Sequence, residues 1–301
     1  MHSLKIWLAA ARLRTLPLSI SGIVVGTAIA KSQGYFSVEI FMLALLTTIL
    51  FQVLSNFAND YGDGIKGTDN HDRVGPQRAI QSGALSPKKL LSAIIIIAIS
   101  SLISAVVLIY KSFTGDFFNS FFFLILGVLA VLAAIKYTVG KKAYGYSGLG
   151  DVFVFVFFGL VSVLGSYFLY TKTFYVQLLL PATSIGLLSV AVLNLNNMRD
   201  MQSDLKAEKL TLAVKLGDKN VRVYHNLLLL LAMLCLIGYL VLNYKSNPNA
   251  IFLIAFIPLI LHLITFNKTK DLKALDPELK KVALSTFLLA LLFYFSFNNF
   301  L

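Results

Sequence analysis

Residues 176–204 read VQLLLPATSIGLLSVAVLNLNNMRDMQSD. From 176 to about 195 the run is charge-free, and it is long enough to cross the hydrocarbon core of a bilayer. It then passes directly into Asn196, Arg199, Asp200 and Asp204. An apolar span that ends in a dense cluster of amides and carboxylates places that cluster at a membrane boundary. Polar groups at that depth are costly and tend to mark function.

The pattern recurs along the chain. Eight more apolar stretches lie at roughly 15–32, 38–58, 89–110, 117–135, 152–171, 225–243, 250–266 and 282–300. Of the 301 residues, 57% are hydrophobic and 13% charged. A soluble domain has about 45–50% apolar and about 25% charged residues. Backbone groups in lipid must be satisfied within their own segment, so the spans read as helices. The alternation of a membrane β-strand is absent. The expectation is an all-α membrane protein of nine transmembrane helices. Residues 1–301 are expected to form a single domain, since no Pro/Gly/Ser-rich linker divides them.

Residues 1–14 read as a short interfacial helix with Lys5, Trp7, Arg12 and Arg14 at the headgroups, and not as a cleavable signal. Cys235, the one cysteine, lies within a span and reads as a small core hydrophobe, which excludes an intramolecular disulfide.

The net charge of +12 could suggest nucleic acid, but its distribution argues against that. With nine spans, the loops alternate sides. Lys31, Lys111, Lys172 and Lys245 fall on one side, and the rest of the 26 Lys and Arg fall on the other. The positive-inside rule makes the rich side cytoplasmic, with the N-terminus inside and the C-terminus outside. The expected partners are the bilayer and small molecules; nucleic acid and an obligate protein partner are not expected.

A second cluster mirrors the first. The span ending near Phe57 runs into Asn59, Asp60, Gly62, Asp63, Gly64, Gly67 and Asp69. On a helix Asn59 and Asp63 share a face, and Asp60 neighbours Asp63. Asn196, Asp200 and Asp204 would likewise form one stripe, about 12 Å long at helical rise. Solvated helix ends are the plain alternative, but two such clusters on one side point to a site. Donors that are all oxygen suit Mg²⁺, which takes one or two carboxylates and completes its shell with water and substrate phosphates. Neither cluster holds His or Cys, against zinc. A diphosphate bridged by Mg²⁺ also needs cations, and Arg78, Lys136, Lys141, Arg199 and Lys209 lie near the same mouth. Each of these also serves as a topology charge. The loop Tyr137–Asp151 holds Tyr137, Tyr144 and Tyr146, whose ring faces could border a cation or form an interfacial belt. Asp151 reads as a helix cap, and His2, His71, His225 and His262 are too scattered for a triad.

At these residues the chain resembles the UbiA-type intramembrane prenyltransferases, with their two aspartate-rich motifs and a Y-x-x-x-K element. Asn59, Asp60 and Asp63 match the first motif, whose last position here is Gly67. Asn196, Asp200 and Asp204 match the second in full, and Tyr137 and Lys141 match the third element. Within the family the stretches 59–69, 137–151 and 195–204 are most similar to the branch acting on 1,4-dihydroxy-2-naphthoate, Gly67 included.

The resemblance implies nine helices around a central cavity, open to the cytoplasm and sideways to lipid, in a bacterial inner membrane. It implies Mg²⁺ on Asn59, Asp60, Asp63, Asn196, Asp200 and Asp204. It gives catalytic roles to Asp63, Asp200, Lys141 and Tyr137, and diphosphate contacts to Arg78, Lys136, Arg199 and Lys209. The implied reaction is polyprenyl transfer from a diphosphate to 1,4-dihydroxy-2-naphthoate with loss of CO₂, giving demethylmenaquinone. Other acceptors, such as 4-hydroxybenzoate or homogentisate, stay open. A secondary transporter fits less well, because transporter sites sit near the midplane.

Overall fold

The computed structural model describes residues 2–69, 74–75, 77–243 and 250–298. His71, Arg73 and Lys245 lie outside the described residues. Helices account for the architecture: α1 (His2–Ala11), α2 (Leu16–Ser32), α3 (Val38–Ile65), α4 (Pro87–Ser112) and α5 (Phe117–Lys136). They are followed by α6 (Gly150–Thr171), α7 (Val176–Arg199), α8 (Met201–Lys206), α9 (Leu212–Leu242), α10 (Ile251–Lys268) and α11 (Leu272–Phe297). Among the described residues, nine helices are long and apolar enough to cross a membrane; α1 and α8 are not counted separately.

Side-chain caps set several starts. Ser37, Ser86, Asp116 and Thr211 accept from the backbone N–H three residues on, opening α3, α4, α5 and α9. Such a cap contributes about 1 kcal/mol by satisfying one of the orphan donors at a helix start.

α7 lies against α6, α9 and α11, while α2 packs on α6 and α11. α3 pairs with α4 and α5. Small residues allow close approach, as is usual between helices in lipid. A Cβ on Gly159 of α6 would lie 2.6 Å from the Gly186 Cα of α7, so neither helix tolerates a side chain at that crossing. The middle of α6, Phe155–Gly165, is π-helical. α5 exposes one face and turns the other, with Gly127 and Val131 fully buried, towards the neighbouring helices.

The structure extends several expected spans. α3, α7 and α11 run on past the apolar stretches by several residues, because their polar ends keep helical hydrogen bonding outside the hydrocarbon, and α9 starts early through a first segment set off by a kink at Gly217 (φ 72). Cys235 is half-buried instead of in the core, beside exposed Leu231 and Leu234.

Candidate active site

The last two turns of α3 carry the first motif, and its residues face different ways. Asn59 and Asp63 line a cavity of about 380 Å³ that also meets α2, α4, α5, α6 and α7. Asp60 turns away from it and is 1% exposed. Its carboxylate pairs with the Arg12 guanidinium and with Arg78 Nε at 3.6 Å. Arg12 does not rest at the headgroups. Trp7 of α1 packs on Phe57 at 5.6 Å, and Asn56 Nδ2 donates to Ala11 O at 2.8 Å. Arg12 itself is left-handed, with φ 50, and that turn sends its side chain inward. The Asn59 amide suits its surroundings with nitrogen towards Asp63 Oδ2 (2.9 Å) and oxygen towards Arg12 Nη1 (3.1 Å).

Asp63 is held on both oxygens. Tyr146 OH donates to Oδ1 at 2.8 Å, and Lys209 Nζ donates to Oδ2 at 3.0 Å. α3 then ends. Gly67 sits at φ 72, a conformation that would strain any side chain, and this explains why the motif's last acidic position is glycine here. The turn brings the Thr68 and Asp69 N–H groups back to Asp63 O, at 3.0 and 3.4 Å. Asp69 is thereby buried in the cavity wall beside Asp63.

The second motif is bent where a single stripe was expected. α7 stops at Arg199, Asp200 is non-helical at φ −94 and ψ 5, and α8 begins at Met201. The spacing survives the bend, since Asp200 N still reaches Asn196 O (3.2 Å) and Asp204 N reaches Asp200 O (2.8 Å). Asn196, Asp200 and Asp204 all line the cavity. Arg199, 2% exposed, lies among them. It donates to both Asp200 oxygens, through Nε at 2.9 Å and Nη2 at 2.6 Å, to Asn196 Oδ1 at 2.9 Å, and through Nη1 to Asp276 of α11.

Lys209 joins the two motifs: the Nζ that meets Asp63 also lies 4.0 Å from Asp204 Oδ1. Burial works against its ammonium, but Asp63 and Asp204 outweigh that and raise its pKa, so it stays charged. Tyr146 sits between two cations. Lys66 Nζ is 3.8 Å and Lys209 Nζ 5.4 Å from its ring centroid, and its hydroxyl also contacts Thr68 at 2.5 Å. Desolvation raises the Tyr146 phenol, and it lowers the pKa of Lys66.

Tyr137 and Tyr144 line the cavity; desolvation pushes the Tyr137 phenol up to about 12. Tyr144 stacks on Phe153 at 3.9 Å. Asp151 is buried and accepts from Tyr224 OH at 3.2 Å. Arg78 and Lys209 line the cavity, whereas Lys136 and Lys141 are exposed and stand outside its wall.

The structure thus brings Asn59, Asp63, Arg78, Tyr137, Asn196, Asp200, Asp204 and Lys209 to one cavity. Arg199 reaches it through Asp200, and Asp60 is committed to an ion pair behind it. Sequence reasoning missed three contributors. Arg12 was read as a headgroup charge. Asp69 lay two residues past the motif, where only the Gly67 turn returns it. Tyr146 was one tyrosine among three, and no spacing rule links it to Asp63.

The donor set suits a hard cation. The carboxylates of Asp63, Asp69, Asp200 and Asp204 and the amides of Asn59 and Asn196 line the cavity, and Arg12, Arg78 and Lys209 interleave with them. Among the described residues no group of three or more His, Cys, Asp or Glu is arranged to hold a metal ion.

Among the described residues, nine helices long and apolar enough to cross a membrane, and a cavity lined by carboxylates, cations and apolar side chains, define a polytopic membrane protein. The chain belongs to the UbiA prenyltransferase family, whose model matches residues 19–297. It is 45% identical over 97% of its length, and 95% of the other's, to the 1,4-dihydroxy-2-naphthoate octaprenyltransferase of Haemophilus influenzae. The enzyme of the same name in Escherichia coli is 43% identical over 95% of this chain and 93% of its own. Among solved structures, a UbiA homolog from Archaeoglobus fulgidus bound to DMAPP and Mg²⁺ superposes with a TM-score of 0.65. That match covers 98% of this chain and 100% of the other, at 14% identity, and so speaks to the fold alone.

Proposed function

We propose that this protein transfers a polyprenyl chain from its diphosphate to 1,4-dihydroxy-2-naphthoate, with decarboxylation and release of diphosphate, to give demethylmenaquinol, the reduced form of demethylmenaquinone. The observation that carries this is the Lys209 ammonium, within 4.0 Å of a carboxylate from each motif, at one largely apolar cavity that both motifs line. The relatives named for that reaction, at 45 and 43% identity, support the choice of acceptor.

Asn59, Asp63 and Asp69 on one side, and Asn196, Asp200 and Asp204 on the other, would hold Mg²⁺. When bound, Mg²⁺ supplies Lewis-acid neutralisation of the leaving diphosphate. Arg78 and Lys209 add charge from within the cavity, and Arg199 adds it from behind Asp200. Lys136 and Lys141, being exposed, act at the rim. As the allylic C–O bond loosens, the faces of Tyr137 and Tyr144 border the cationic carbon. The electron-rich ring attacks through the carbon bearing its carboxylate, and loss of CO₂ restores aromaticity. The apolar wall formed by α4, α5 and α6 takes the prenyl tail and keeps water from the cation. The tail leaves sideways into lipid, and the mouth faces the cytoplasm of a bacterial inner membrane. Residues 1–301 act as one membrane domain.

The test is Asp63→Ala and Asp200→Ala in purified enzyme, with polyprenyl diphosphate, Mg²⁺ and a panel of aromatic acids. Loss of transfer in both, with the wild type using the naphthoate and releasing CO₂, supports the reading. Retained transfer in either variant, or preference of the wild type for another acid, refutes it.

A further inference from the structure

Three titratable side chains outside the site form a buried array. His225 of α9 and His262 of α10 are both 0% exposed, and Glu278 of α11 is 6% exposed. His262 Nδ1 lies 2.6 Å from Glu278 Oε2, and the two histidine Nε2 atoms are 2.8 Å apart. Lys281 Nζ donates to the other Glu278 oxygen at 2.7 Å. Phe266 packs against both rings, with centroids at 4.4 and 5.8 Å. With His262 donating through Nδ1, a single proton sits between the two Nε2 atoms, and His225 Nδ1 is left buried without a partner. That cost is sustained by the fold, and it joins three helices at one point.

The joined point is the second turn of α11, where its α-helical part begins at Asp276. Two residues before Glu278, across Pro277, stands Asp276, which takes Nη1 of Arg199. The remaining nitrogens of Arg199 cover Asp200 and Asn196, the oxygens assigned above to the cation. Arg199 and a divalent ion therefore compete for the same carboxylate. An arginine held only by Asp200 would stay on it. An arginine with a second carboxylate at Nη1 has somewhere to go.

We infer that Asp276 is a positioning residue that draws Arg199 off Asp200 as the cation enters, and that the Glu278–His262–His225 array fixes the turn carrying it. The inference rests on the reading of Asp200 and Asn196 as cation ligands. It makes the second motif a two-position switch, with Arg199 on Asp200 before the metal–diphosphate arrives and on Asp276 afterwards.

The experiment measures Mn²⁺ binding to purified, detergent-solubilised protein by electron paramagnetic resonance, with inorganic pyrophosphate present, so no turnover is needed. Asp276→Asn and Glu278→Gln are each expected to weaken Mn²⁺ binding about 10-fold, the lower end for removing an outer-sphere partner. In an Arg199→Gln background neither change should shift Mn²⁺ affinity further, because the competitor is gone. Asp276→Glu should recover most of the loss. Unaltered Mn²⁺ affinity in Asp276→Asn overturns the proposal, as does an equal loss with and without Arg199. Asp276 is partly exposed, at 43% of its side chain, so its variant decides the matter even where Glu278→Gln does not fold. Asp200→Ala serves as the control. If it binds Mn²⁺ like wild type, the assignment of the metal site fails; if it loses Mn²⁺ while Asp276→Asn does not, only the switch fails.

Discussion

Lys209 Nζ stands 3.0 Å from Asp63 Oδ2 and 4.0 Å from Asp204 Oδ1, residues that are far apart in sequence and belong to different motifs. One side chain therefore offsets the mutual repulsion of two acidic clusters and presents a cation where a diphosphate would sit. Lys209→Met is expected to lower kcat/KM for the prenyl diphosphate by about 100-fold, the scale of losing one charged contact to a developing anion. The KM for the naphthoate should move by less than about 2-fold, since that contact is not made to the acceptor. Steady-state kinetics with each substrate varied in turn checks this.

Tyr146 reaches Asp63 from another loop through a 2.8 Å hydrogen bond, with Lys66 and Lys209 at its ring. Tyr146→Phe keeps the ring and removes the donor. Outer-sphere partners of ligating carboxylates are worth about 10–100-fold in metal affinity. The variant should need about 10-fold more Mg²⁺ for half-maximal rate while its saturating rate stays near wild type. A Mg²⁺ titration of activity reads this directly.

Asp60 and Asp63 are three residues apart yet are expected to fail differently. Asp60→Asn leaves two guanidiniums, Arg12 and Arg78, without their buried counter-charge. Removing one partner of a buried pair costs about 3–5 kcal/mol. The variant should melt earlier in detergent, with residual activity tracking the folded fraction. Asp63→Ala also strips buried Lys209 of a counter-charge and should melt earlier too, but its activity should be lost even in the folded fraction.

The alkaline side of the pH profile follows from Tyr137, whose phenol is raised from 10.0 to about 12 by burial. Its proton is retained in the folded state after the unfolded state has lost its own. Tyr137 therefore contributes stability that is complete below pH 10 and drains away as pH rises towards about 12. Lys209, also raised, shifts in the same sense. Neither group titrates near neutrality, so Tyr137→Phe should leave the profile unchanged up to about pH 9 and flatten the loss of melting temperature above pH 10.

The nine spans were legible because the hydrocarbon layer demands long, uncharged runs, a demand that composition meets openly. Asn59, Asp63, Asn196 and Asp204 were legible as a periodic pattern. The ends of α3 and α7 were less so, because a helix continues past the apolar stretch until caps and left-handed residues stop it. Arg12 is separated from Asp60 by 48 residues, and nothing local tells an arginine at the interface from one turned inward by a residue at φ 50. Asp69 hid behind the Gly67 turn. Lys136 and Lys141 read as equal to Lys209, and only the packing separates the exposed pair from the buried one.

The cavity follows α3 from Asp63 up to Ala44. Nineteen residues at helical rise make that depth about 28 Å. Any length of the donor's prenyl chain beyond that would lie among lipid tails while its head is engaged. The bilayer would then be a portion of the binding site, with the donor delivered by lateral diffusion. The concentration that governs turnover is accordingly a surface density. The apparent KM for the donor should follow its mole fraction in the vesicle and be indifferent to the volume of buffer around it.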